Sequence, residues 1–428
     1  MNRHRQDPAE AVTFEHQLLL QCLDGTGGVS AIASVRDWDR TVVDLMWHGV
    51  APLAAVTLTD ADLSAKVPQR ALATLKQIRG RCTLFHKTVL DVLRDLDPRF
   101  RQRRVRYAIL KGPFLYEAYY RGFPRPYGDL DLVVADADLE PSIEILESMG
   151  YAVEGSRLNR FLMRRGHFHL VLKPESRNLP MIELHWSLVD RANLYRIDDA
   201  AVMARVTDFA VGETMFSTLS KEDTFLYLCL HIVKHGILNS LGLRSGYPAE
   251  WFCRRTSGNR LIWFIDLDFF LQKEMEHVDW QVVAARAREW NVVRDIEDSL
   301  KVLGLVLPGS RADEVLKRIG FQKTSDAGRQ RAMERFLQTP RGHRVLGRMM
   351  EMHPDFIFRP ARLLFLGHLL FPSRRDIREY HRARAAWPLP LLYLVHPFHM
   401  LLKLLSLTAW NRPPKRLDYP APIQKGLS

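Results

Sequence analysis

The chain has 428 residues, 47% of them hydrophobic and 26% charged, the composition of a globular protein and not of a disordered or fibrous one. Lys and Arg total 61 against 49 Asp and Glu, and the resulting formal charge of +12 favours an anionic partner: a nucleoside triphosphate, a nucleic acid or an acidic membrane surface. Cys22, Cys82, Cys229 and Cys253 are scattered with no Cys-x-x-Cys pair, which argues against a zinc cluster or a disulfide framework and fits a reducing cytosol.

The N-terminal stretch up to Glu15 lacks the apolar core of a secretory signal, so the expected location is cytoplasmic. From about Thr13 to Leu96 apolar residues recur at three- and four-residue spacing (Phe14, Leu18, Leu75, Ile78, Val89, Leu93), which predicts a helical lead-in over 1–95. The run Val105 to Leu110 predicts a strand, Lys111-Gly112-Pro113 a break, and Phe114 to Tyr120 a short helix. A second strand is expected at Gly128 to Val134, a helix from Asp138 to Met149 ending at Gly150, and two more strands at His167 to Leu172 and Met181 to Trp186. Helices around a small mixed sheet make 96–215 a mixed α/β core. Helical patterns then return at Thr224 to Leu238, Leu261 to Met275, Trp280 to Trp290, Ile296 to Leu303 and Ala327 to Leu337, a second helical domain over 216–345. The remainder, 346–428, is basic at Arg374 to Arg384 and then uncharged from Ala385 to Leu402 apart from its histidines. Pro388, Pro390 and Pro397 argue against a membrane span there, leaving a packed helix pair or a helix lying on an anionic membrane surface.

The chemistry is expected between Lys111 and Val134. Asp129 and Asp131 alternate along a strand, so both carboxylates project from one face while Leu130, Leu132 and Val134 anchor the other. Two like charges side by side raise each other's proton affinity unless a cation joins them, which makes the pair a natural Mg²⁺ site. Glu183 is a third carboxylate that converges on the pair if its strand lies beside Gly128 to Val134. The Lys111-Gly112 turn and Arg125 supply donors that could approach a phosphate.

Taken together, Leu110-Lys-Gly112, Arg125-Pro-Tyr-Gly-Asp-Leu-Asp-Leu-Val133, Glu183-Leu-His-Trp186 and Cys229-Leu-His-Ile-Val-Lys-His235 resemble an uncharacterised bacterial nucleotidyltransferase family within the DNA polymerase β-type superfamily, whose members often accompany exopolysaccharide or peptide biosynthesis genes. The resemblance runs from Trp47-His-Gly-Val-Ala-Pro52 to Leu391-Leu-Tyr393. It implies an α+β fold with a small mixed sheet flanked by helical regions. It also implies two Mg²⁺ ions held by Asp129, Asp131 and Glu183, with Glu183 helping to deprotonate an acceptor hydroxyl that attacks the α-phosphate of an NTP. Lys111, Gly112, Arg125 and Gly128 are the expected nucleotide-binding residues, joined by Lys234 or His235 from a helix packed over the pocket. Lys111-Gly112-Pro113 stands where the superfamily has a Gly-Ser turn, so a phosphate-binding hydroxyl is missing. Three activities follow as expectations. The first is nucleotidyl transfer to a small-molecule, sugar or peptide acceptor; the others are a kinase-like phosphotransfer with the same triad, or a non-catalytic nucleotide-binding assembly factor. A nucleic-acid polymer is disfavoured, because the basic stretches carry almost no aromatics to stack on bases. His231 and His235 share a helix face, but Ile232 breaks the metalloprotease pattern, and Asp266 with Asp268 reads as a helix-packing pair.

Overall fold

The computed structural model describes residues 32, 35, 37–59, 61–120, 123–154, 168–176, 178–189, 195–239, 260–307, 309–320, 371, 374, 377 and 387–398. The chain divides into two compact units, Met1–Thr339 and Pro340–Ser428. In the first, helices α1 (Trp38–Trp47), α2 (Ala51–Thr57), α3 (Ala61–Ser64) and α4 (Gln69–Gln102) precede the sheet. Asp37 caps α1 by accepting from the Arg40 backbone N–H, and the long α4 turns Leu75, Val89, Leu93, Leu96 and Phe100 inward at helical spacing. The expected 95/96 boundary falls inside this continuous helix.

The core is a mixed seven-stranded sheet, order β3-β4-β5-β2-β1-β7-β6, with flanking helices. Its strands are β1 (Tyr107–Ile109), β2 (Asp129–Val134), β3 (Tyr151–Val153), β4 (His169–Pro174), β5 (Met181–His185), β6 (Thr207–Val211) and β7 (Thr214–Thr218). Between them lie α5 (Pro113–Tyr119), α6 (Leu139–Ser148) and α7 (Asp199–Ala204). β2 is central, antiparallel to β1 and parallel to β5. Leu130, Leu132 and Val134 are buried as the alternation requires, which fixes the strand's register against the core. The β6–β7 hairpin and β3 were absent from the sequence reading. The hairpin, closed by Gly212-Glu213, has two five-residue strands in which only Val211, Phe216 and Thr218 are buried, so its alternation is weak.

The rest of this unit is helical: α8 (Lys221–Asn239), α9 (Leu261–Glu274), α10 (Trp280–Glu289), α11 (Val293–Val306) and α12 (Ala312–Arg318). Asp279 caps α10 through the Gln281 and Val282 N–H groups, and Ser299 on α11 donates to the Cys229 carbonyl of α8 at 3.0 Å. The Trp47 to Pro52 motif has a specific task. Gly49, at φ +72°, lets α9 approach so closely that an added Cβ would lie 3.1 Å from Ile262, and the Ile262 N–H donates to the His48 carbonyl. In the second unit 389–398 is helical, with Leu391, Leu394 and Phe398 exposed. No helix among the described residues is long and apolar enough to cross a membrane. The expected helix at Ala327 to Leu337 lies outside the described residues.

Candidate active site

Strand β2 runs beside β5 with Asp131 opposite Glu183, so the parallel pairing on which convergence depended is present. Asp129, Asp131 and Glu183 place carboxylate oxygens within 4.8 Å of one another. Their burial is graded: the Asp131 side chain is 1% exposed, Glu183 27% and Asp129 28%. Lys111 enters from the β1–α5 turn, its Nζ 2.8 Å from Asp131 Oδ2 and 3.6 Å from Asp129 Oδ1. His185, two residues after Glu183 on the same face of β5, brings Nε2 within 3.4 Å of Asp131 Oδ1 and 3.5 Å of Glu183 Oε2.

These contacts set the protonation of each group. Burial, reinforced by the Asp131 charge, raises the Asp129 carboxyl above its ordinary range. Burial pushes Asp131 the same way, but Lys111 and His185 outweigh it and hold its carboxyl well below that range. Glu183 is likewise lowered, its burial overcome by His185. Burial would depress Lys111, yet Asp131 and Asp129 keep it firmly protonated. The cluster is an ionised, cation-seeking group of oxygens with its most basic member, Asp129, toward the rim.

Gly112 shapes the turn that delivers Lys111. It adopts φ +63° and ψ −111°, and a Cβ there would meet the Tyr127 ring at 3.2 Å. Tyr127 Oη shares a 2.6 Å hydrogen bond with His86 Nδ1, and His86 Nε2 one of 2.7 Å with Glu117, bracing the segment that leads into Asp129. Gly128 is exposed, with open space where a side chain would grow.

Arg125 corrects the sequence reading. Its guanidinium does not face the carboxylates as a phosphate donor; it is 4% exposed and forks onto Asp266 of α9 through two 2.6 Å hydrogen bonds. Tyr120 donates to the same carboxylate at 2.6 Å. The planar, bidentate fit between guanidinium and carboxylate satisfies both buried charges and commits them to packing α9 against the sheet unit. The side chains of Lys234 and His235 lie outside the described residues, although α8 carries both positions.

Two residues absent from the sequence reading stand near the site. Tyr227 of α8 is buried and interacts with the charges of Asp131, Lys111, Glu183 and Asp129; burial first, then Asp131, keeps its phenol protonated. Arg260, exposed at the N-terminal end of α9, is close enough to Asp129 for their charges to interact, and its guanidinium lies 5.4 Å above the Trp47 ring. Neither has a local sequence signal: Tyr227 comes from α8, 96 residues beyond Asp131, and Arg260 from the start of α9, 131 residues beyond Asp129.

No curated protein matches the chain in sequence. Parallel pairing sets Glu183 opposite Asp131, two residues along β2 from Asp129. Residues 34–308, well over half of the chain, match the profile of an uncharacterised nucleotidyltransferase family, and the chain belongs to that family.

Proposed function

We propose that the chain transfers a nucleoside monophosphate from an NTP to a hydroxyl of a small-molecule, sugar or peptide acceptor, in the cytoplasm, with Asp129, Asp131 and Glu183 holding Mg²⁺. The observation that carries this is the register: one parallel strand pair sets three carboxylates within 4.8 Å. The donor set fits the ion, since hard carboxylate oxygens suit Mg²⁺ and the cluster already draws the Lys111 ammonium to 2.8 Å. When bound, such ions supply charge neutralisation at the triphosphate and a more acidic acceptor hydroxyl.

The protein's own residues do the rest. Asp131, kept ionised by Lys111 and His185, is a fixed anchor. Glu183, partly exposed and kept ionised by His185, is placed to receive the acceptor's proton. Lys111, and Arg260 at the rim in place of Arg125, supply positive charge for the triphosphate. The C-terminal unit joins the proposal as a contact for an anionic membrane surface, since Leu391, Leu394 and Phe398 share a helix face.

The test is incubation of the protein with each NTP, Mg²⁺ and candidate acceptors. Pyrophosphate release that Asp129→Ala and Asp131→Ala abolish is the expected result. ADP would assign a kinase instead, and neither product would assign a binding role. Pyrophosphate release unchanged in both variants would overturn the site.

A further inference from the structure

We propose that His169, Glu183 and His185 form a second cation site, of mixed nitrogen and oxygen character, that takes a divalent d-block ion of the zinc type. This goes beyond nucleotidyl transfer, which needs only the all-oxygen cluster, and touches that reading through the shared Glu183.

The site is built by register. β4 and β5 are antiparallel with His169 opposite His185, so both imidazoles stand on one face with ring centroids 4.9 Å apart. Glu183 is on that same face, two residues before His185. Its Oε2 lies 3.5 Å from His185 Nε2 and 3.9 Å from His169 Nε2, and one ligand atom from each residue falls within 4.8 Å of the others. The edge of a tetrahedron with bonds of about 2.1 Å is about 3.4 Å, so small side-chain movements close this set around one ion.

Two further observations point to a cation. His185 is 1% exposed, and neither ring nitrogen makes a hydrogen bond of normal geometry among the described residues, although Nε2 is aimed at two carboxylate oxygens. A buried imidazole in that state costs stability unless something satisfies it. Asp131, moreover, divides its oxygens: Oδ2 meets Lys111 at 2.8 Å while Oδ1 faces His185 Nε2 at 3.4 Å. Oδ1 is therefore available as a fourth donor on the histidine side, and Asp131 would bridge the two sites. Donor chemistry separates the ions, because imidazole nitrogen favours zinc-type cations and carboxylate oxygen favours Mg²⁺.

The experiment uses the full chain stripped with a chelator and titrated with Zn²⁺, and separately with Co²⁺, in excess Mg²⁺. The expected result is a single equivalent of Zn²⁺ that Mg²⁺ does not displace, and a Co²⁺ form with the visible absorption of a four- or five-coordinate ion. In His169→Gln, with folding checked by circular dichroism, Zn²⁺ affinity should fall at least about tenfold. A readout independent of any variant is nitrogen coupling in pulsed EPR of the Cu²⁺-loaded wild type. Zn²⁺ displaced by Mg²⁺, an unchanged affinity in folded His169→Gln, or no imidazole coupling would each overturn the proposal. Pyrophosphate release without retained Zn²⁺ would sink this site alone; retained Zn²⁺ without any pyrophosphate release would sink nucleotidyl transfer alone.

Discussion

Arg125 sits in a buried ion pair where the sequence suggests a phosphate donor, Arg260 is the cation proposed in its stead, and a pair of substitutions tests that reassignment. Arg125 and Asp266 are 4% and 3% exposed and joined by two 2.6 Å hydrogen bonds, so Arg125→Met strands a buried carboxylate with, among the described residues, only the Tyr120 hydroxyl against it. Removing one partner of such a pair costs about 3–5 kcal/mol. At about 2 °C per kcal/mol for a unit of this size, Tm should drop by about 6–10 °C. The double variant Arg125→Met/Asp266→Leu buries no charge and should recover part of the loss, short of the about 1–3 kcal/mol left by the orphaned Tyr120 hydroxyl. Arg260→Ala, at an exposed position, should leave Tm within about 1–2 °C of wild type. It should weaken NTP binding by about tenfold or more, the worth of a charge-assisted contact of about 1.5–3 kcal/mol. Thermal melting followed by circular dichroism reads the first quantity, and calorimetric titration with a non-hydrolysable NTP reads the second. An Arg125→Met protein as stable as wild type but deficient in NTP binding would refute the reasoning and restore Arg125 to the site.

Other outcomes follow from single features. Gly112→Ala forces a side chain into φ +63° and against Tyr127, and should cost about 1–3 kcal/mol in urea unfolding, whereas Gly128→Ala should stay within about 0.5 kcal/mol; equal effects would contradict the turn geometry. Asp268 is 7% exposed, and burial pushes its carboxyl up to about 6. At low pH the folded and unfolded chains both hold that proton and nothing is lost. As pH rises from about 4 through about 6 only the unfolded chain gives it up readily, so stability falls and stays reduced above. Asp268→Asn, which still accepts from Gln272, should gain up to about 3 kcal/mol at pH 7 to 8 and nothing near about pH 3.5; a gain independent of pH would be the wrong sign of cause. Leu394→Asp with Phe398→Asp should abolish cosedimentation with anionic vesicles, and undiminished binding would remove the membrane from the proposed role.

Much of the core was legible because its information is local. Period-two alternation in Asp129 to Val134 places two carboxylates on one face and three apolar side chains on the other whatever the strand's neighbours, and the same holds for Glu183 and His185 on β5. The breaker at Lys111-Gly112-Pro113 and the helices from Thr224 onward are equally short-range signals. The edge of the sheet was less legible. β3 has three residues and only three of the ten strand residues of the β6–β7 hairpin are buried, so neither carries a strong pattern.

The residue types of the site, their spacing and the strand that presents them were determined by the sequence alone. Tertiary structure decided which groups meet. Parallel pairing put Glu183 beside Asp131, and antiparallel pairing put His169 beside His185. Packing of α9 sent Arg125 to a partner 141 residues away and brought Arg260 to the carboxylates' surroundings, and packing of α8 brought Tyr227 there. The reason is physical: alternation fixes the face on which a side chain lies, but the partner across that face depends on register and helix docking, which are settled by burial of the whole core and not by any local run of residues.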